Sequence, residues 1–164
     1  MIPETSRLVA LDRIGAHGFR IAVQAAQDEL AALAERYRIP AVLAFSCDMH
    51  LRRIGDSVIE GQGTLTARVR QICVVSLDEF TQKVVETFTV HFVPDGTEDE
   101  EPDPEAVDQI PYAGNAIDAG ECVAEQLALA LDPYPRKPGA LPPGRTDDSA
   151  PHPFAALAAM RSKQ

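Results

Sequence analysis

Between residues 42 and 93 the sequence alternates apolar and polar side chains in three long runs, and that period of two leaves few folds open. In the run 42–54, Leu43, Phe45, Cys47, Met49 and Leu51 share one side, and Ala44, Ser46, Asp48, His50 and Arg52 the other. Gly55-Asp56 reads as a turn. In the run 57–71, Leu65, Ala67 and Val69 face in, while Thr64, Thr66, Arg68 and Arg70 face out. Gly61 and Gly63 interrupt it and suggest a bulge or bend. Cys73-Val74-Val75 then leads into a turn at Ser76-Leu77-Asp78. In the run 82–93, Val84, Phe88, Val90 and Phe92 oppose Val85, Thr87, Thr89 and His91, with Glu86 an exception on the apolar side. Long strands with short connections predict an antiparallel meander.

Shorter elements flank the meander. Arg7 to Leu11 is a candidate edge strand, and Ala16-His17-Gly18 a turn. Phe19, Ile21 and Val23 alternate as a half-buried strand. A helix is expected over Gln27–Tyr37, with Asp28 and Glu29 in its first turn, Arg36 and Arg38 at its end, and Pro40 beyond. Its apolar face is Leu30, Leu33, Ala34 and Tyr37. A second helix starts at Asp118, where Glu121 gives capping-box spacing. It carries Val123, Leu127, Ala130 and Leu131 on one face and stops at Asp132-Pro133. The expected class is therefore α+β: an antiparallel β-sheet covered by about two helices, one domain over 1–139.

The net charge of −10 is concentrated. Residues 71–110 carry one basic and eleven acidic side chains, whereas 133–164 carry five basic and two acidic. Residues 94–110 (PDGTEDEEPDPEAVDQI) have almost nothing to bury and are expected to form an acidic disordered loop. Residues 140–164 read as a linker followed by a short apolar helix or docking peptide, Pro153 to Met160. Phosphate neutralisation dominates nucleic-acid affinity, so this charge argues against RNA gripping the whole surface and leaves room for a local basic patch. The N-terminus has no basic-then-apolar leader, and no apolar run is long enough to span a bilayer. A cytoplasmic protein is expected.

Catalytic chemistry finds little support in the chain. Cys47, Cys73 and Cys122 are far apart, with no C-x-x-C pair, and read as reduced, small apolar side chains. No metal or cofactor is expected. The histidines His17, His50, His91 and His152 are not at ligand spacing with one another. There is no P-loop, G-x-S-x-G or G-x-G-x-x-G. Asp118, Glu121 and Glu125 are close enough for a carboxylate pair of a small hydrolase, but a cap and a solvated face explain them more cheaply. The best basic cluster is Arg52, Arg53, Arg68 and Arg70. If 42–54 and 57–71 pair as a hairpin, Arg52, Arg68 and Arg70 share an outward face that can meet phosphate. A solvated face with edge-protecting charges is the competing reading. Arg136 and Lys137 stand on the extended segment Pro133 to Gly139, where they can touch a partner or simply keep it soluble.

The stretch from Gly61-Gln62-Gly63 through Ala67-Arg68-Val69-Arg70-Gln71-Ile72-Cys73 to Leu77-Asp78-Glu79-Phe80 resembles the YceD family of large ribosomal RNA subunit accumulation proteins. So do Val90 to Pro94, before the acidic insert, and Ile117-Asp118 through Asp132-Pro133-Tyr134-Pro135-Arg136-Lys137-Pro138-Gly139. The wording of that segment and of the Pro-Phe-Ala-Ala-Leu-Ala tail resembles the alphaproteobacterial branch. The likeness covers about residues 5–160. Many members carry a second cysteine three residues after Cys73; here Ser76 stands there, so a zinc site is not implied. Asp118-Ala119 replaces the usual Asp-Leu. The resemblance implies a non-enzymatic role in synthesis, processing or stability of 23S ribosomal RNA and in large-subunit biogenesis. Its partners would be ribosomal RNA or assembly intermediates and their proteins, with no small-molecule substrate. A direct RNA-binding module using the arginine face is the alternative. Cys73, Asp118, Glu125, Pro133 and Pro135 are the structural marks of the resemblance.

Overall fold

The computed structural model describes residues 4–97 and 106–141. The three alternating runs form strands β3 (Ala41–Arg53), β4 (Ile59–Ile72) and β5 (Glu79–Pro94), paired antiparallel in sequence order. β2 (Phe19–Gln24) adds to the β3 edge, again antiparallel. The other edge differs from the expected all-antiparallel meander. β6 (Asp108–Tyr112) pairs parallel to β5, giving the order β2-β3-β4-β5-β6. Residues 108–110 were expected in the acidic loop; instead Gln109 and Ile110 are half-buried against β5. Residues 98–105 of that loop, and the apolar tail Pro153–Met160, lie outside the described residues. Two further strands, β1 (Leu8–Ala10) and β7 (Ala116–Asp118), make a separate antiparallel pair.

Two helices lie on one side of the sheet. α1 (Gln27–Tyr37) packs on β3, and α2 (Ala119–Ala130) packs across β4, β5 and β2. The covered face brings together Phe45, Cys47, Met49, Leu51, Leu65, Val69, Val90 and Phe92 with Leu33, Val123 and Leu127, all nearly or fully buried. This apolar burial is the main stabilising term, at roughly 25 cal/mol per Å² removed from water.

Gly61 and Gly63 serve this face rather than a bend. β4 keeps register with both neighbours through them. A Cβ at Gly63 would stand 2.4 Å from Phe88 Cζ, and one at Gly61 3.0 Å from Phe92 Cε2, so the glycines make room for aromatic rings. The irregularity sits instead in β3, between Val42 and Ala44, and it turns Val42 inward where Leu43 was expected.

Asp118 caps α2, accepting from the backbone N–H groups of Gly120 and Glu121 at 3.0 and 3.1 Å. The reciprocal half of the box does not form, because the Glu121 carboxylate pairs with Arg36 of α1 at 2.7 Å. Asp118 also accepts from Ser6 Oγ at 2.6 Å and the Arg7 N–H at 2.8 Å. The N-terminal segment thus runs over the start of α2, so close that a Cβ on Gly120 would meet the Thr5 carbonyl. At α1, Glu29 accepts from the Ala26 N–H and from Arg7, whose guanidinium holds it below the usual carboxylate range.

Candidate nucleic-acid interface

The helices leave the second face of the sheet open. Its cross-strand rows are polar: Arg20-His50-Gln62-Thr89, Ala22-Asp48-Thr64-Thr87 and Gln24-Ser46-Thr66-Val85. A shallow depression of about 760 Å³ runs over the first two rows. Apart from Arg20 and Asp48 in these rows, the charged side chains gather toward the ends of this face, and the two ends are built differently.

At one end, Arg52 lies opposite Glu60 and donates to it at 2.7 Å. Gln62 donates to the same carboxylate, and His91, opposite Glu60 on β5, stands 3.9 Å from it. Arg53, next in the chain, turns to the other side and holds the Ile14 and Leu11 carbonyls. At the opposite end Arg68 is directly across from Lys83, and no acidic side chain pairs with either among the described residues. Arg70, two residues on, has only a 3.9 Å approach to the exposed Glu79. Like charges directly opposite on an antiparallel pair are destabilising. An exposed Arg68–Lys83 row is therefore a feature that folding alone does not favour.

Arg52, Arg68 and Arg70 do share one face, as expected from the hairpin. However, eight residues of β4 separate Arg68 from Glu60, the partner of Arg52, which at about 3.3 Å per residue is roughly 26 Å. Arg52 is neutralised and remote, and Lys83 takes its place in the cluster. The alternation in 82–93 already turned Lys83 outward; its place opposite Arg68 needed the β4–β5 register.

The segment after α2 reaches the same end of the sheet. Asp132 Oδ1 accepts from the Tyr134 N–H at 2.8 Å, turning the chain after Leu131. The Pro135 carbonyl accepts from the Val74 N–H at 2.9 Å, and the Lys137 N–H approaches Cys73 Sγ at 3.3 Å. Pro133 and Arg136 stay exposed while Pro135 is buried. Lys137 Nζ lies 3.4 Å from Asp78, so of the two cations here Arg136 alone has no acidic partner among the described residues.

The three cysteines are buried and unbridged. Burial pushes the Cys47 thiol up to about 12 and raises Cys122 as well. Cys73, at the base of the β4–β5 turn, behaves in the opposite sense. The Ser76 hydroxyl and then the N–H groups of Ser76, Lys137 and Val75 draw it down to about 6. Burial of the sulfur acts in the opposite direction, and the donors outweigh it.

The carboxylates near Asp118 line a groove of about 370 Å³ with Leu8, Ile110 and Tyr112. Asp118 is committed to the helix cap and the N-terminal segment, and Glu121 to Arg36. Glu125 is the remaining one, and packing around its carboxyl, with Glu121 nearby, raises it above the usual range. Among the described residues no three His, Cys, Asp or Glu side chains gather as a metal site. No described helix is long and apolar enough to cross a membrane.

Over residues 61–161 the chain matches the family described as Large ribosomal RNA subunit accumulation protein YceD. No curated protein and no solved structure matches it.

Proposed function

The chain belongs to the YceD family of large ribosomal RNA subunit accumulation proteins, and from that membership we propose that it is a non-enzymatic, cytoplasmic factor in the synthesis, processing or stability of 23S ribosomal RNA. Its targets are that RNA or large-subunit assembly intermediates, met at the open face of the sheet. The observation that carries the contact is the Arg68–Lys83 row, two cations facing one another without an acidic partner among the described residues in a protein of net charge −10. Arg70 and Arg136 extend the patch at the same end. Phosphate contacts of this kind position a partner without reading its sequence. No row of aromatic side chains stands on this face to stack bases, so the contact is to backbone phosphate. Charge elsewhere confines it to this corner.

A strain lacking the protein, profiled for precursor ribosomal RNA and for free large subunits, tests the role. Precursors accumulate and large subunits fall if the proposal holds; unchanged profiles in fast growth and in the cold sink it. Complementation with Arg68→Glu/Lys83→Glu tests the patch separately. Full rescue by that variant would move the contact elsewhere and leave the role standing.

A further inference from the structure

Beside this patch, between the end of α1, the end of β4 and the segment following α2, lies an open groove of about 540 Å³. Ile39, Pro40, Ile72, Val74, Leu131 and Pro135 supply its apolar lining. Ile72 and Val74 are 48% and 45% exposed, unlike the covered face of the sheet. Gln71 also lines the groove and is only 4% exposed. Its Nε2 donates to the Asp132 carbonyl at 3.3 Å, and its Oε1, closed off from the groove, has no donor among the described residues. An unsatisfied buried acceptor costs about 1–3 kcal/mol. The groove therefore offers a partly exposed apolar surface of the kind a peptide's side chains can cover.

We propose that the occupant is the segment Pro153–Met160 of this same chain. Its large apolar residues, Phe154, Leu157 and Met160, recur every third position, a spacing that in a helix would set each beside the next. The tether is already in place. The chain passes along the groove at Pro133 and Pro135, and the Pro135 carbonyl and Lys137 N–H pin it to Val74 and Cys73 on the rim. From Leu141, the last described residue of that segment, twelve residues lead to Phe154. Fully extended, a chain of that length reaches about 40 Å. A short linker of this kind holds its end at an effective concentration in the millimolar range. Residues 142–152 contain no large apolar side chain that would compete for the groove.

The sequence contains no tryptophan, so Phe154→Trp in the full chain gives a single indole reporter. The expected emission is blue-shifted and protected from acrylamide, and unchanged across a wide range of protein concentrations. Adding Ile72→Lys and Val74→Ser to that variant should shift the emission to the red and raise the quenching constant severalfold. Circular dichroism checks that the fold is retained. Emission of a solvated indole in the variant with an intact groove would overturn the proposal without any groove substitution. So would protection that rises with protein concentration, since the segment would then sit on a second copy. Protection that survives the groove substitutions would place the segment elsewhere and also overturn it.

Discussion

The two faces of the sheet are made from alternate residues of the same strands, yet they obey different constraints. On the covered face every position is filled, and Gly61 and Gly63 are needed because Phe92 and Phe88 occupy the space a side chain would take. On the open face, threonine, serine and alanine leave room, and among the described residues the charged row Arg68–Lys83 stands without compensation. A close-packed interior resists any change in volume, whereas an exposed face tolerates substitution unless something binds there. The difference locates stability on one side and the proposed partner contact on the other.

The sharpest way to break that division is to put a methyl group on the wrong side. Gly63→Ala places a Cβ 2.4 Å from Phe88 Cζ and 3.1 Å from Cys47 Sγ. Overpacking of this kind costs about 3 kcal/mol, the upper part of the usual range, because the ring has filled space around it. Chemical denaturation should show the loss as a lower midpoint with an unchanged slope. Thr64→Ala, one residue along and on the open face, should cost little.

Asp118→Ala comes next, since it loosens the helix that covers the sheet. The variant loses the cap of α2 and the tie to Ser6 and Arg7, at a cost of about 2 kcal/mol. A fall in melting temperature with undiminished complementation of the deletion strain is expected. Retained stability with lost complementation would instead revive a chemical role for this carboxylate.

On the open face the two ends supply an internal control. Arg68→Glu/Lys83→Glu should weaken binding to large-subunit RNA by at least about tenfold at low salt and reduce the slope of affinity against salt by about 1–2. Arg52→Glu, at the neutralised end, should leave that slope unchanged. Filter binding across a salt series reads both. Lys83→Glu alone is expected to stabilise the fold by roughly 0.5 kcal/mol, because it turns a like-charged row into an opposite-charged one. Binding lost as stability is gained would mark the row as kept for a partner. A loss of stability would mean that the row has a structural role.

Much of this was legible in the sequence. The strands β3, β4 and β5 follow from uninterrupted alternation, and α1 and α2 from their apolar spacing and their stops at Pro40 and Pro133. β6 was not legible: five residues with Pro111 in their midst and an acidic stretch before them carry no period of two, and they pair only because β5 offers an edge. The role of the glycines was missed for a related reason. A glycine in a strand reads the same whether the backbone bends there or a ring from the next strand lies over it, and only the register with Phe88 and Phe92 decides. The arginine face was visible at Arg68 and Arg70, but charge compensation is a property of pairs across strands. Glu60 opposite Arg52, and Lys83 opposite Arg68, emerge only once the strands are aligned.

The smallest effect tests the lid rather than the sheet. Packing, with Glu121 nearby, raises the Glu125 carboxyl above its ordinary value. For an acid raised on folding, the ionised form is the one the fold disfavours. Its contribution is most favourable below the unfolded value of about 4.3 and is lost as the pH rises through the folded value. Glu125→Gln removes this term. The variant should therefore be more stable than the parent at neutral pH and equal to it in acid, where both side chains are neutral. Because the side chain keeps solvent contact, screening limits the gain to about 0.3 kcal/mol. Melting temperatures of the two proteins measured across that pH range should converge toward acid; curves that stay parallel would mean the carboxyl is no more constrained in the fold than in the unfolded chain.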